Sequence, residues 1–597
     1  MTRLLNERDL EFLLYEFLDT EALLARPRYA GHSREVFDAT LATARRIAEE
    51  RFAPHLARGD ANEPGFDGRA VTLIPETKLA WDAFAEAGFL NAHWDHDEGG
   101  LQLPLAVHTA AVTWFNAANV ATTSYSWLTV GAANLLRTFG TADLKARFLA
   151  PMGDGRFAGT MALTEPEQGS ALGDIRTTAE PQADGSYRLR GQKMFISGGD
   201  QGLTANIVHM VLARTRGAPS GVRGISLLLV PKVLVNDDGT LGSRNDVALA
   251  GLLHKMGWRN TTSTVLSFGE QAGAVGYLLG EPGKGLAHMF QMMNEARINI
   301  GLCASALAYR GYLLALDYAR SRVQGRLPSC KDPSTPQVRL IEHADVRRLL
   351  LAQKAYAEGA LAMSLYGASL AEDQHTHPDA AARRDAAALL DILTPVVKSW
   401  PSRYGCIAND HAIQVLGGSG YTRDYLAEQL YRDQRLNPIH EGAEAIHALD
   451  LLGRKAVMGN GAAYRVFRAA VNATLAEACE HDNARTLAPA FTAPLARLDA
   501  VTAQLAALMA TDPDRALANA NVYLDAFGRI VAAWIWLKQA IAADRGLAGR
   551  PADADFYRGK LQAARYYVTW ELPATAPQFD LLAEVNPVPL EMRDAWF

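Results

Sequence analysis

Between about residue 159 and residue 280 the chain abandons helical periodicity for short apolar runs bounded by turn formers, and long helical patterns flank this stretch on both sides. That order constrains the fold more than any other feature, because it places a β segment between two helical ones and makes the chain α+β. Tyr187, Leu189 and Gln192 follow an Asp184-Gly185 turn signal, as a strand leaving a hairpin would. Ile207–Leu212, Ile225–Val230 and Thr262–Phe268 are further strand candidates, the second ended by Pro231. Before this stretch, residues 9–150 read as mostly helical. Ser33 is placed to cap a helix carrying Val36, Phe37, Leu41 and Ile47, and Phe84–Leu90 followed by Glu98–Pro104 reads as a helix end and a turn. After it come helical patterns over Gly285–Arg322, 339–373 and 382–416, with a loop from Arg326 to Val338. A further Ala- and Leu-rich helical tract fills 456–597, with a proline-containing break near 485–494. The expected division is therefore 1–158, 159–280, 281–455 and 456–597.

The charge balance, 59 Lys+Arg against 65 Asp+Glu, leaves a net charge of −6 and no overall electrostatic case for nucleic acid or an anionic membrane. Cys303, Cys330, Cys406 and Cys479 are scattered without metal spacing, and no metal site is expected. The opening residues become charged at once and lack a signal-peptide core, and no uninterrupted apolar run of membrane-spanning length is evident. These features point to a cytoplasmic protein without stable membrane insertion.

Several residues are suited to chemistry. Glu441 directly precedes Gly442 in a short irregular link between two helical patterns, where a carboxylate can face a pocket. The run Gln414-Val415-Leu416-Gly417-Gly418-Ser419-Gly420-Tyr421 lies upstream of it. Met161-Ala162-Leu163-Thr164-Glu165-Pro166-Glu167-Gln168-Gly169-Ser170 is either a plain turn or a set of small donors that leave room for a ligand. In Lys193-Met194-Phe195-Ile196-Ser197, the aromatic residue either packs in a core or covers a flat ring, with the Ser197 hydroxyl at its edge. Arg322, ahead of Gln324, ends a helix, where an Arg often only complements the dipole. Met289, Phe290, Met292 and Met293 precede Asn294-Glu295-Ala296-Arg297 and read alone as an adaptable helix core.

Taken together and in this order, these motifs resemble the flavin-dependent acyl-CoA dehydrogenases over about 60–455. The tail resembles the extra C-terminal helical domain of a long branch of that family. The resemblance implies an N-terminal helical domain, a central β domain, a C-terminal helical bundle and the added helical domain. It makes Glu441 the catalytic base. FAD would contact Met161, Leu163, Thr164, Gly169, Ser170, Phe195, Ile196 and Ser197. The end of an FAD bound mainly by a neighbouring subunit would meet Arg322, Gln324, Gln414, Gly417 and Gly418, so the active form would be at least a homodimer. Ser170, Asn294, Arg297 and Gly442 would line the acyl-CoA. Some branches place the base just before the Arg of this helix. Here that position is Ala296, which takes no proton, and Glu295 should face elsewhere.

The sequence departs from common members at Ala171 for Asp, Phe195 for Trp, Ser197 for Thr, His440 for an aromatic and Ala443 for Thr. The implied reaction is oxidation of an acyl-CoA to the trans-2-enoyl-CoA, as in fatty-acid β-oxidation. Glu441 would take the α-proton, flavin N5 would take the β-hydride, and an electron-transfer flavoprotein would act as acceptor. An acyl-CoA oxidase of the same fold, using oxygen, and a flavin-bearing DNA-associated paralogue are the alternatives. The paralogue would need a basic C-terminal surface, whereas the tail carries Glu477, Glu480, Asp482, Asp512 and Asp514.

Overall fold

The computed structural model describes residues 3–597. They fall into two compact units. The first, the β unit, comprises Glu35–Pro104 and Trp114–Asn299; the second, the helical unit, takes in the described part of Met1–Arg34, Leu105–Thr113 and Ile300–Phe597. The residues up to Arg34 thus group with the late helices, whereas the sequence division kept them in 1–158.

The helices associated with the β unit are α1 (Arg34–Ile47), α2 (Pro75–Glu86), most of α3 (Leu105–Phe139) and α4 (Ala142–Gly153). Its main sheet has eight strands: β1 (Phe157–Ala162), β2 (Thr178–Pro181), β3 (Tyr187–Ser197), β4 (Asn206–Thr215), β5 (Ile225–Pro231), β6 (Val247–Leu252), β7 (Ser263–Phe268) and β8 (Ala274–Leu279). The order is β6-β7-β3-β8-β5-β4-β1, with β2 pairing both β3 and β4. β1 runs parallel to β4, and β4 pairs antiparallel with β5. Most of β4 and all of β5 are buried, which is why they read as continuous apolar runs. Leu135, Leu136, Phe148, Met210, Leu227 and Met289 share the core on one side of the sheet.

The helical unit continues from α5 (Gly285–Ser321) through α6 (Ala344–Thr376), α7 (Ala380–Leu416), α8 (Ala427–Gln434) and α9 (Glu444–Asp450). The tail adds α10 (Met458–Ala478), α11 (Thr492–Met509), α12 (Ala520–Gly549), α13 (Ala554–Tyr566) and α14 (Thr575–Ala583). Length and composition alone would let α5 cross a membrane, but 83% of its most apolar window is buried inside the protein, so its apolar face is core.

Two prolines lie inside α7, each leaving a carbonyl without its intrahelical donor. Pro395 frees the Asp391 carbonyl, which the buried Lys455 ammonium takes at 2.7 Å. Pro401 frees the Val397 carbonyl, and Gly301 of α5 lies against it so closely that a Cβ there would come within 2.1 Å of the oxygen. The tail packs directly on this bundle. Trp536 Nε1 of α12 donates to the Ala355 carbonyl at 3.0 Å, and Tyr404 donates to Asp525 at 3.0 Å.

Candidate active site

In the β unit, the loop after β1 is tied to β3 by a buried ion pair. Lys193, fully buried, donates to Glu165 at 2.9 Å and to the Leu163 carbonyl at 2.8 Å. Glu165 also accepts from the backbone N–H groups of Arg176 at 2.6 Å and Thr177 at 2.9 Å. Burial opposes its charge, but Lys193 and these donors outweigh burial and hold the carboxyl below its ordinary range. Burial pulls Lys193 down to about 8, against the opposing pull of Glu165. The pair is a frame for the loop, a role that the sequence motifs alone do not assign to either residue. The available signal was a Lys inside a strand pattern thirty positions or so from a Glu-Pro turn.

Where this frame ends, β3 carries a bulge. Ile196 pairs with Thr264 and Lys193 with Leu266, so Met194 and Phe195 together oppose Val265. Phe195 adopts φ +59°, a left-handed conformation uncommon for a bulky residue. Phe195 is 62% exposed, while its neighbour Ile196 is buried. The Met194 N–H donates to the Thr164 carbonyl at 2.9 Å, which ties the bulge to the Thr164 loop. Leu163 is buried, Met161, Thr164 and Ser197 are half-buried, and Gly169 and Ser170 are exposed. A Cβ at Gly169 would meet nothing within 4 Å, so internal packing does not account for glycine there.

The β-unit end of α5 carries Asn294 and Arg297. Arg297 is 3% exposed, and its guanidinium lies 6.0 Å from the Phe290 ring centre and donates to Asn294 Oδ1 at 3.3 Å. Glu295 turns to another side of the helix, where it accepts from Asn134 at 2.9 Å and burial raises its carboxyl. Ala296 is buried.

In the helical unit, Glu441 occupies the link between α8 and α9, as the sequence pattern suggested. Its own φ is +56°, and Gly442 follows at +101°. A non-glycine residue in this region is strained and persists only where its surroundings enforce it. The enforcement is visible one peptide on: the Gly442 carbonyl accepts from the Lys398 ammonium at 2.7 Å and from His447 Nε2–H at 3.1 Å. Both donors are fully buried. Burial, aided by the Lys398 charge, pushes His440 down to about 3, so it stays neutral and adds no charge beside Glu441 near neutral pH.

Arg322, Gln324, Gln414, Gly417 and Gly418 are all exposed, and they gather at one end of this unit. Leu340 N–H binds the Arg322 carbonyl at 2.8 Å, and Gln324 N–H binds the Val338 carbonyl at 3.0 Å. Tyr318, one turn before Arg322, donates to Ser419 at 3.4 Å, and the two helix ends share the core of Ala319, Val415 and Leu416. Gly417 has φ +60°, and a Cβ at Gly417 or Gly418 would meet nothing within 4 Å. Tyr421 is 85% exposed.

Comparison with known proteins identifies the family. The N-terminal, middle and C-terminal domain models of acyl-CoA dehydrogenase match residues 35–156, 160–270 and 283–457. The model described as acetyl-CoA dehydrogenase C-terminal like matches residues 467–593. The chain is 36% identical over 562 residues to 3-methylmercaptopropionyl-CoA dehydrogenase of Ruegeria pomeroyi, covering 93% of this chain and 94% of the relative. It is 35% identical over 613 residues to a butyryl-CoA dehydrogenase of Syntrophomonas wolfei, covering 99% and 98%. The crystal structure of Caenorhabditis elegans ACDH-11 in complex with C11-CoA superposes with a TM-score of 0.73 at 20% identity, covering 98% of this chain and 91% of that one, a likeness of fold. The chain therefore belongs to the acyl-CoA dehydrogenase family, in the form extended by a fourth, C-terminal helical domain, and the reaction of that family is FAD-dependent dehydrogenation of an acyl-CoA.

Proposed function

We propose that Glu441 is the base of this dehydrogenation, and that the residues gathered around Phe195 and around Gly417 hold the two ends of FAD. The residues present fit that cofactor. An exposed aromatic ring on a bulge, flanked by the Thr164 and Ser197 hydroxyls, suits a flat heterocycle with polar edges. An open glycine pair beside Arg322 suits close approach of a dinucleotide and its pyrophosphate. FAD, when bound, supplies the acceptor for the hydride that leaves Cβ.

The chain's own residues do the rest. Glu441 takes the α-proton. That proton is weakly acidic, so the thioester oxygen needs a hydrogen bond as charge develops, and the Glu441 backbone N–H provides one. Ser170, Asn294, Arg297 and Gly442 position the CoA thioester. The Phe195 and Gly417 groups serve cofactors shared between two copies of the chain, which makes the working form a homodimer. We assign an electron-transfer flavoprotein as acceptor and the cytoplasm as the compartment, and keep 1–158, 159–280, 281–455 and 456–597 as its sequence modules. The named substrates of two relatives, 3-methylmercaptopropionyl-CoA and butyryl-CoA, carry short acyl groups, so short chains are the first substrates to try.

One observation carries the reading: Glu441 is a non-glycine residue held at φ +56° next to a doubly bonded carbonyl. Steady-state turnover tests it, with butyryl-CoA, longer acyl-CoAs and an artificial electron acceptor. Glu441→Gln should lower kcat by about 10²–10⁴-fold, the range of a lost general base, while the flavin stays bound. Turnover within twofold or so of wild type would remove Glu441 from the role.

A further inference from the structure

Lys398 stands in α7 between Pro395 and Pro401, in the apolar run Leu393-Thr394-Pro395-Val396-Val397-Lys398-Ser399-Trp400. A charged residue fully buried in such a run needs strong compensation, because burial strips its water. Part of that compensation is the carbonyl of Gly442, forty-four positions on and next to Glu441, at 2.7 Å. His447, from α9, brings its Nε2–H to the same oxygen at 3.1 Å. A carbonyl oxygen has two lone pairs, and these two donors from two helices match that capacity.

The geometry leaves little slack. A Cβ at residue 442 would lie 2.9 Å from His447 Nε2, so the imidazole occupies the space a side chain would need. The backbone is left-handed at both Glu441 (φ +56°) and Gly442 (φ +101°), and such a pair relaxes unless something holds the peptide that follows. The Lys398 charge is felt in this link, since it adds to burial in keeping His440 neutral.

We propose that Lys398 and His447 form a two-donor clamp on the Gly442 carbonyl that fixes the direction of the Glu441 carboxylate, making both of them positioning residues for proton abstraction. The inference rests on the reading of Glu441 as base. A clamp of this kind acts on the rate of the chemical step. A purely structural Lys would act on folding and flavin retention.

The test is anaerobic single-turnover bleaching of the flavin by butyryl-CoA, on full-length, FAD-loaded Lys398→Met, Lys398→Ala, His447→Ala and Glu441→Gln. Misplacing a reacting group by about 1 Å costs on the order of a hundredfold, so Lys398→Met should slow bleaching roughly tenfold to a hundredfold at saturating substrate. The half-saturating substrate concentration, the flavin content and the thermal midpoint should stay close to wild type. His447→Ala should slow the same step with the same pattern, and it keeps the proposal testable if Lys398→Met does not fold. Adding small alkylammonium ions should restore part of the rate to Lys398→Ala, where equal sodium chloride should not.

Wild-type bleaching by flavin-loaded Lys398→Met or His447→Ala, alongside a silent Glu441→Gln, overturns the clamp and leaves the base in place. Wild-type bleaching by Glu441→Gln overturns the base itself. Losses of rate that follow only flavin content or thermal midpoint also overturn the clamp.

Discussion

Phe195 and Glu441 are held at positive φ, as are Asp19, Gln102, Trp258, Asn460 and Val585, and these two stand where the chemistry is assigned. Their enforcement differs. A bulge tied to Thr164 holds Phe195, and a carbonyl bonded twice follows Glu441. Because the Phe195 ring is mostly exposed, Phe195→Ala removes little from the core, and the thermal midpoint should move little. Flavin absorbance per purified chain should fall clearly; full flavin content would show that the ring is not a cofactor contact. Histidines give a second prediction at this scale. Burial, with Lys232 nearby, pushes His209 down to about 3, and His440 is pushed down likewise. The unfolded chain protonates such a His near pH 6.5, the folded chain only near 3, so stability is full above about 6.5 and falls as pH drops toward 3. His209→Asn should therefore lose about 2 kcal/mol less than wild type on going from pH 7 to pH 5, read from denaturant midpoints; equal losses would contradict a neutral, buried His209. The local motifs around Glu441, Gly442, Thr164 and Phe195 were legible in the sequence. Lys398, His447, Lys193 and Glu165 were not, because nothing near them in sequence announces the partner each one meets across the fold.

At the scale of elements, the long helices and the fully buried strands were legible and the short or half-exposed strands were not. β4 and β5 are apolar almost throughout, so their runs stand out. β2 is only the four residues Thr-Ala-Glu-Pro, β6 is half-exposed with a bulge, and β8 contains Gly276, so none of the three carries a clear strand pattern. Taken alone, the prolines of α7 argue against a long helix, but their freed carbonyls are accommodated by Lys455 and by the absence of a side chain at Gly301. Gly301→Ala should accordingly cost about 1–3 kcal/mol through overpacking against the Val397 carbonyl, measured as a lowered thermal midpoint. An unchanged midpoint would mean that α5 and α7 are not in such close contact.

At the scale of the whole molecule, the sequence conveyed the order helical, β, helical, and the added tail, because each change of periodicity is long. It did not convey that the first residues join the last ones. Asp9, fully buried, accepts from Tyr309 at 2.8 Å and forms an ion pair with Lys560, which also binds Glu358 at 2.8 Å. These residues come from the N-terminal segment, α5, α6 and α13, and no local pattern links them. Burial and the charge of Glu358 raise the Asp9 carboxyl, while Lys354 and Lys560 overcome burial to keep Glu358 ionised. Lys560→Met would leave two buried carboxylates short of a counter-charge and should destabilise the helical unit by about 3–5 kcal/mol, seen as a lower unfolding midpoint; a wild-type midpoint would show that the network does not tie the tail to the rest. The central claim is that one carboxylate, Glu441, removes the α-proton. Anaerobic bleaching of the FAD-loaded enzyme by butyryl-CoA tests it most directly: wild type should bleach and Glu441→Gln should retain its yellow absorbance, whereas bleaching of Glu441→Gln at the wild-type rate would contradict the account.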